Sequence, residues 1–389
     1  MKIYIIGQKG IPVKFGGVEK HVEELSKRLV KLGHEVNVYT RPNYTDPSLK
    51  SYEGVNLISV PNISTKHLDA ITASFRAIYD LRKREVDVIH FHSIGPSSLI
   101  LLARLLKPGV PIIATFHSRC YQHKKWGILA KAYLKFGEIS CNLFATRTIA
   151  ISKSLADYAK DEYGVEVAYI PNGVSLPKIK KAKLIHELGL SKGSYILAVS
   201  RLVRHKGLHH LIDAYNGLKT DKKLVIVGDS AYTSDYVEEL KEMAKGNKNI
   251  IFTGNKSGAI LEELFSNAYL FVQPSEFEGL SIALLEAMSY ERACLVSDIP
   301  ENMEAVGLVG FSFRNKDAKD LMSKLDFLLK RPNLLYAQGL LGRDQVALKY
   351  DWSSIAKEVC GVYKDAMAGK FYRSNYVNHK IVRRFTSFF

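Results

Sequence analysis

The feature that most restricts how this chain can fold is an alternation that runs twice. Short apolar, β-branched runs ("KIYIIG", "EVNVYT", "VDVIHFH", "VPIIATFH", "RTIAIS") are separated by segments such as "VEKHVEELSKRLVKLG", whose apolar residues recur at three and four. The first kind reads as buried strand and the second as helix with one buried face. Strand and helix in strict turn make βαβ units, whose strands lie parallel in one sheet. The alternation pauses at "IPNGVSLPKIKKAKLIHELGLSKGS", where Pro, Gly and Lys cluster as they do in connections. It resumes with "YILAVSRL", "KLVIVGDS", "NIIFTGN", "YLFVQPS" and "ACLVSD", each followed by a helical pattern.

A chain of 389 residues is also too long for one ordinary core. The expected fold is α/β, with two Rossmann-like, doubly wound parallel-sheet domains facing a central cleft. The boundaries read as 1–177 and 178–350, then a helix at 351–368 returning to the first domain, and a tail at 369–389. That tail, from "GKFYRSNYVNHKIVRRFTSFF", holds five basic residues, no acid and six aromatics. Such a strip fits either a terminal segment without a fixed fold or a contact with anionic lipid.

Charge narrows the partners. The net charge of +16 predicts attraction to something anionic: nucleic acid, a phosphorylated small molecule or a lipid surface. Residues 101–150 concentrate it, with eight Lys or Arg against the single acid Glu138. Four scattered cysteines give neither a zinc spacing nor a disulfide framework, which fits a reducing cytoplasm. "SSLILLARLLKPG" is too short to span a bilayer and is broken by Arg104. The expectation is a cytoplasmic protein that touches the membrane surface without crossing it.

Ligands of open α/β sheets bind at the carboxyl ends of the strands, so chemistry is sought just past each strand. After the first strand, "GQKGIPVKFGGVEKHVEEL" places Gly16 and Gly17 before a helix, where bare N–H groups can face a phosphate. The spacing is not GxGxxG, which argues against a dinucleotide-dependent dehydrogenase. His117 ends the fourth strand, and His90 and His92 alternate on one strand face, with nothing in the spacing to complete a metal site. In the second half, "SRLVRHKGL" sets Arg201 and Lys206 beside a helix start, cations that suit a diphosphate.

"PSEFEGLSIALLEAM" adds two carboxylates, Glu278 and Glu286, around a helix start that Ser281 can cap. Treated as helix, their separation is about 12 Å, the length of a sugar diphosphate plus ribose. Glu276 is a further acid whose direction the sequence leaves open.

Together these residues resemble the retaining glycosyltransferases of family four, which have the GT-B fold. The E-x7-E element reads as Glu278 and Glu286, and the R-x4-K-G element as Arg201, Lys206 and Gly207. "FGGVE", His117 and "IPNGV" stand where that family has a glycine-rich loop, a histidine and a domain junction. "IIGQKGIPVKFGGVE" and "HKKWGILAKAYLKFGE" further resemble a bacterial, rhamnosyltransferase-like subgroup.

The resemblance implies transfer of a sugar from a UDP-, GDP- or dTDP-linked donor, with retention and without cofactor or metal. Arg201 and Lys206 would hold the diphosphate and Glu286 the ribose. Glu278, Gly279, Leu280 and Ser281 would hold the sugar, with His117, Gly16 and Gly17 approaching from the first domain. The acceptor would be a saccharide or a lipid-linked one, in cell-envelope polysaccharide or glycolipid synthesis. Two other readings stay open: a GT-B nucleotide-sugar epimerase or phosphorolytic enzyme, and a non-catalytic nucleic-acid-binding protein suggested by charge alone. No nucleic-acid signature supports the second.

Overall fold

The computed structural model describes residues 1–65, 68–122, 127–230 and 234–369. The basic-aromatic tail from residue 370 and the run 123–126 lie outside the described residues. Two compact units form: Met1–Asn172 with Trp352–Phe389, and Gly173–Asp351. The first division falls at "IPNGV", five residues before the place read from the sequence.

The first unit contains β1 (Lys2–Ile6), β2 (Glu35–Thr40), β3 (Ser51–Tyr52), β4 (Val55–Ser59), β5 (Val88–His92), β6 (Ile112–Phe116), β7 (Arg147–Ala150) and β8 (Ala168–Tyr169). They lie in the order β3-β4-β2-β1-β5-β6-β7-β8. All neighbours are parallel except β3 and β4, which form an antiparallel hairpin at the edge. That departure from an all-parallel sheet turns on two residues, Glu53 at φ 52 and Gly54 at φ 81. Two successive positive φ values make the tight hairpin turn whose twist matches that of the strands.

The core of this unit joins Ile3, Ile5, Val36, Val38, Val88 and Ile113 of the sheet to Val22, Leu25 and Leu29 of the helix Gly17–Lys31. Trp352, Ile355, Val359 and Tyr363, from the helix Trp352–Met367, complete it. The chain's last described helix is therefore part of the first unit's core.

The second unit contains β9 (Tyr195–Val199), β10 (Lys223–Val227), β11 (Ile250–Phe252), β12 (Leu270–Gln273), β13 (Cys294–Ser297) and β14 (Phe311–Phe313). Their order is β11-β10-β9-β12-β13-β14, parallel throughout. β14 lies in "GFSFRN", a run too short and too polar to read as a strand beforehand.

Both orders contain one reversal: β1 has β2 on one side and β5 on the other, and β9 has β10 and β12. At such a switch point the connections leave on opposite faces of the sheet, and a crevice opens at the carboxyl ends of the two central strands. In the first unit those ends are Ile6 and His92; in the second they are Val199 and Gln273. Arg201 and Glu278 fall within a few positions of the second unit's ends, Gly17 and Glu286 lie on helices that follow β1 and β12, and His117 falls just past the neighbouring β6.

Candidate active site

In the second unit, the loops after β9 and β12 meet. Lys206 Nζ donates to Glu278 Oε1 at 2.5 Å, and both side chains are largely buried, 14% and 8% exposed. The same oxygen accepts from Ser275 Oγ at 2.7 Å and from Gln273 Nε2 at 3.5 Å. Gln273 is itself held by Asn302 Oδ1 at 2.9 Å and accepts from Ser281 Oγ at 2.8 Å. Ser281 also accepts from the Leu284 N–H at 3.3 Å, so it caps the helix Ile282–Ser289. Gln273, Ser275 and Asn302 have no signature spacing and were missed from the sequence. Together these hydrogen bonds hold the Glu278 carboxylate in one rotamer.

Arg201 differs. Its side chain is exposed and makes no hydrogen bond or ion pair among the described residues. Glu286 lies half-buried on the helix Ile282–Ser289, between buried Leu284, Leu285, Ala287 and Met288. The ~12 Å reach inferred for the two glutamates assumed helical rise throughout. The helix begins only at Ile282, so residues 278–281 are loop and the helical-rise figure does not apply.

Gly207 explains how the two loops come so close. It has φ +67, and a Cβ there would lie 1.9 Å from the Pro274 carbonyl oxygen. Nearby, the Glu276 N–H donates to the His205 carbonyl at 2.8 Å. Gly207→Ala combines a left-handed backbone with a backbone clash, so a loss of about 2–4 kcal/mol is expected. Urea denaturation measures it directly; an unchanged midpoint would mean that the loops are not in contact in solution.

In the first unit, the loop after β1 is pinned rather than open. The Lys9 N–H donates to Glu19 Oε1 at 3.1 Å, and that of Val13 to Glu23 Oε2 at 2.6 Å. The Lys14 and Phe15 N–H groups both donate to the Tyr44 hydroxyl, at 2.8 and 3.1 Å. Gly16 has φ +108, and a Cβ on it would strike Glu19 Oε2 at 2.0 Å. Gly17 opens the helix and is exposed. The first turn thus carries its own carboxylate, Glu19, where the sequence suggested bare N–H groups alone.

His117 is buried and does not stand alone. Its Nε2 lies 3.0 Å from His92 Nδ1, and the His21 ring meets it edge-on at 5.0 Å. His21 Nδ1 donates to Asn172 Oδ1 at 2.8 Å, and His90 bridges Tyr363 Oη and Thr115 Oγ1, each at 2.7 Å. Burial, reinforced by the neighbouring imidazoles, holds His92 and His117 well below the usual histidine range. Burial also lowers His21 to about 4 and His90 to about 3. All four are neutral at pH 7, so they act as hydrogen-bonding groups rather than cations. His21 was not singled out from the sequence, although it lies one helical turn beyond Gly17.

Two clusters among the described residues could hold a metal: His21, His92 and His117, and His209, His210 and Glu276. The spacing around His92 does not reveal the two rings that join it, His21 from the helix Gly17–Lys31 and His117 from just past β6. That first cluster has no carboxylate, and two of its ring nitrogens already bond to each other. Glu276 faces the two histidines of the second cluster.

Known proteins resemble the chain along most of its length. A model described as Glycosyltransferase Family 4 matches residues 15–178, and one described as Glycosyl transferases group 1 matches 180–339. An uncharacterised glycosyltransferase of Methanocaldococcus jannaschii is 29% identical, over 94% of this chain and 99% of the relative. An Escherichia coli UDP-Gal:alpha-D-GlcNAc-diphosphoundecaprenol alpha-1,3-galactosyltransferase is 28% identical, over 67% of this chain and 69% of its own length. Sucrose-phosphate synthase from Thermosynechococcus elongatus superposes with a TM-score of 0.81 at 20% identity, covering 95% of this chain and 100% of that one. Anabaena HepE, solved with UDP and glucose, gives 0.79 at 19%, covering 94% and 100%. With both sheets, both switch points and both glycosyltransferase models accounted for, the chain is a glycosyltransferase of the GT-B fold, similar to those of family four.

Proposed function

We propose that the protein transfers a sugar, with retention, from a nucleotide-sugar donor to a lipid-linked saccharide at the cytoplasmic face of a membrane. The observation that carries the donor half is the Lys206–Glu278 pair at the second unit's switch point, with Arg201 exposed on the same loop after β9. Two cations and the start of the helix Ile282–Ser289 suit a diphosphate leaving group. Arg201 and Lys206 stabilise the charge that develops on it, so the reaction needs neither a divalent metal nor a cofactor. Glu286 takes the ribose hydroxyls. Glu278, with the backbone of Gly279, Leu280 and Ser281, takes the sugar, and His117 meets a sugar hydroxyl as a neutral imidazole. Retention follows from front-face attack, in which the leaving phosphate accepts the acceptor's proton.

The acceptor half rests on the first unit. Glu138, the one acid of residues 101–150, is fully buried against Lys135, Tyr158 and Tyr163, so the exposed charge of that stretch is basic. Ile128 and Leu129 are each 87% exposed, and Leu105 is 75% exposed, beside Arg104, Lys107 and Lys131. Apolar tips among cations suit the headgroup region of an anionic bilayer. No described helix is long and apolar enough to cross a membrane. A groove of about 760 Å³, walled by Ile58, Val60, Ile71 and Phe75 and edged by Arg76 and Lys83, suits an amphiphile with an anionic head. The E. coli relative, named for a diphosphoundecaprenol acceptor, is consistent with this class.

The test is nucleotide release from UDP-, GDP- and dTDP-sugars in the presence of chelator, with and without lipid extract, and with the product's anomeric configuration read by NMR. Release from one donor, accelerated by lipid and lost in Glu286→Ala, is the expected result. Release that yields free or isomerised sugar regardless of acceptor would identify an epimerase or hydrolase instead.

A further inference from the structure

We propose that His209, His210 and Glu276 form a binding site for one divalent transition-metal ion, Zn²⁺ foremost, which clips the two donor loops together. The site is separate from the diphosphate-binding cations and takes no part in their chemistry. His209 and His210 open the helix Leu208–Asn216, two turns' worth of chain from Arg201, and Glu276 lies in the loop after β12. His210 Nε2 is 3.6 Å and His209 Nε2 3.8 Å from Glu276 Oε1, and the three donor atoms lie within 4.8 Å of one another. Ligands at about 2.0–2.2 Å from a tetrahedral ion are roughly 3.3–3.5 Å apart, so the two contacts to Glu276 need to close by only a few tenths of an ångström.

Three further observations favour an ion over a plain polar contact. His210 Nε2 is buried and has no hydrogen-bond partner among the described residues, a group that ordinarily costs stability if left so. The Tyr236 hydroxyl lies 2.8 Å from His209 Nδ1, the outer contact that orients a ligating imidazole and presents Nε2 to the metal. Glu276 is held from the other side: Lys316 Nζ is 3.4 Å from Oε2, and Asn315 Nδ2 donates to its carbonyl at 3.3 Å. Oε1 is thereby left for the histidine side. Two imidazoles and one carboxylate are a donor set that suits Zn²⁺, with a fourth position open to water.

Its consequence is mechanical. Lys206 is three residues before His209, and Glu278 is two residues after Glu276. An ion bridging His209, His210 and Glu276 therefore fixes the register in which Lys206 meets Glu278.

Metal-free protein titrated with Co²⁺ is expected to bind one equivalent with visible d–d absorption, displaced by Zn²⁺. His209→Asn, His210→Asn and Glu276→Gln each remove that absorption, and Tyr236→Phe weakens binding about tenfold. Far-UV circular dichroism of each variant checks that it folds. Absence of uptake by the folded wild-type protein overturns the proposal. So does uptake that survives the three variants and is lost in His92→Asn, which would place the ion in the first unit. Because the readout is metal binding, failure of the transferase reading leaves this test intact, and the reverse also holds.

Discussion

Replacing Lys206 by alanine is expected to lower sugar transfer by about 10²–10³-fold, the cost of losing one preorganised charge at a developing anion. It should also destabilise the second unit, because Glu278, 8% exposed at its side chain, loses its counter-ion and keeps mainly the Ser275 hydroxyl. Breaking a buried pair from one side costs about 3–5 kcal/mol, reduced here to roughly 2–3 by the remaining hydrogen bond and by partial exposure. Arg201→Ala should separate the two effects. That guanidinium is exposed and unpaired among the described residues, so its loss should leave stability within about 0.5 kcal/mol while transfer falls about 10²-fold.

The double variant Lys206→Ala with Glu278→Gln makes the test sharper. A neutral amide no longer needs a cation, so stability should return while transfer stays lost. If activity recovers with stability, Lys206 is a structural partner of Glu278 and the diphosphate is held elsewhere. If Arg201→Ala retains full activity, the cation pair read from the sequence is not the donor clamp.

Most of the architecture was legible because its signals are local. Each of ten strands announces itself as an apolar run, and the capping role of Ser281 follows from a single residue type before a helix. What escaped detection depends on side chains from distant segments. His21 joins His92 and His117 only because β1's following helix crosses the carboxyl end of β5, which no spacing encodes. Gln273, Ser275 and Asn302 buttress Glu278 through ordinary residue types whose role comes from position alone. Glu276 points at His209 and His210 because the loop after β12 is laced to His205, a contact between residues distant in sequence. The hairpin at Glu53 and Gly54 was passed over because its turn lacks the usual Asn-Gly pair. The helical-rise argument for Glu278 and Glu286 failed for a related reason: the cap that Ser281 provides also marks where the helix starts.

Acidification should unfold the first unit well before carboxylates titrate. His21, His90, His92 and His117 are buried and neutral, with folded pKa values depressed to about 4, about 3 and, for the last two, well below the usual range. In the unfolded chain each titrates near its ordinary value of about 6.5. Above that value neither state binds a proton at these rings, and stability is independent of them. Below it the unfolded state takes up protons that the folded state refuses, so stability falls with pH until the folded values are reached. Between pH 7.5 and 5.5 the loss is about 1.3 kcal/mol per ring, or about 5 kcal/mol for four, comparable with the whole stability of many domains. Urea denaturation followed by tryptophan fluorescence reads this directly, because Trp352 lies in that core with its ring 5.3 Å from the His21 ring. His90→Gln should remove one proton from the slope. A midpoint that stays flat from pH 7.5 to 5.5 would mean that the four rings are hydrated in solution and titrate as they do unfolded. His117 would then be a partly charged group rather than the neutral imidazole that the cluster enforces.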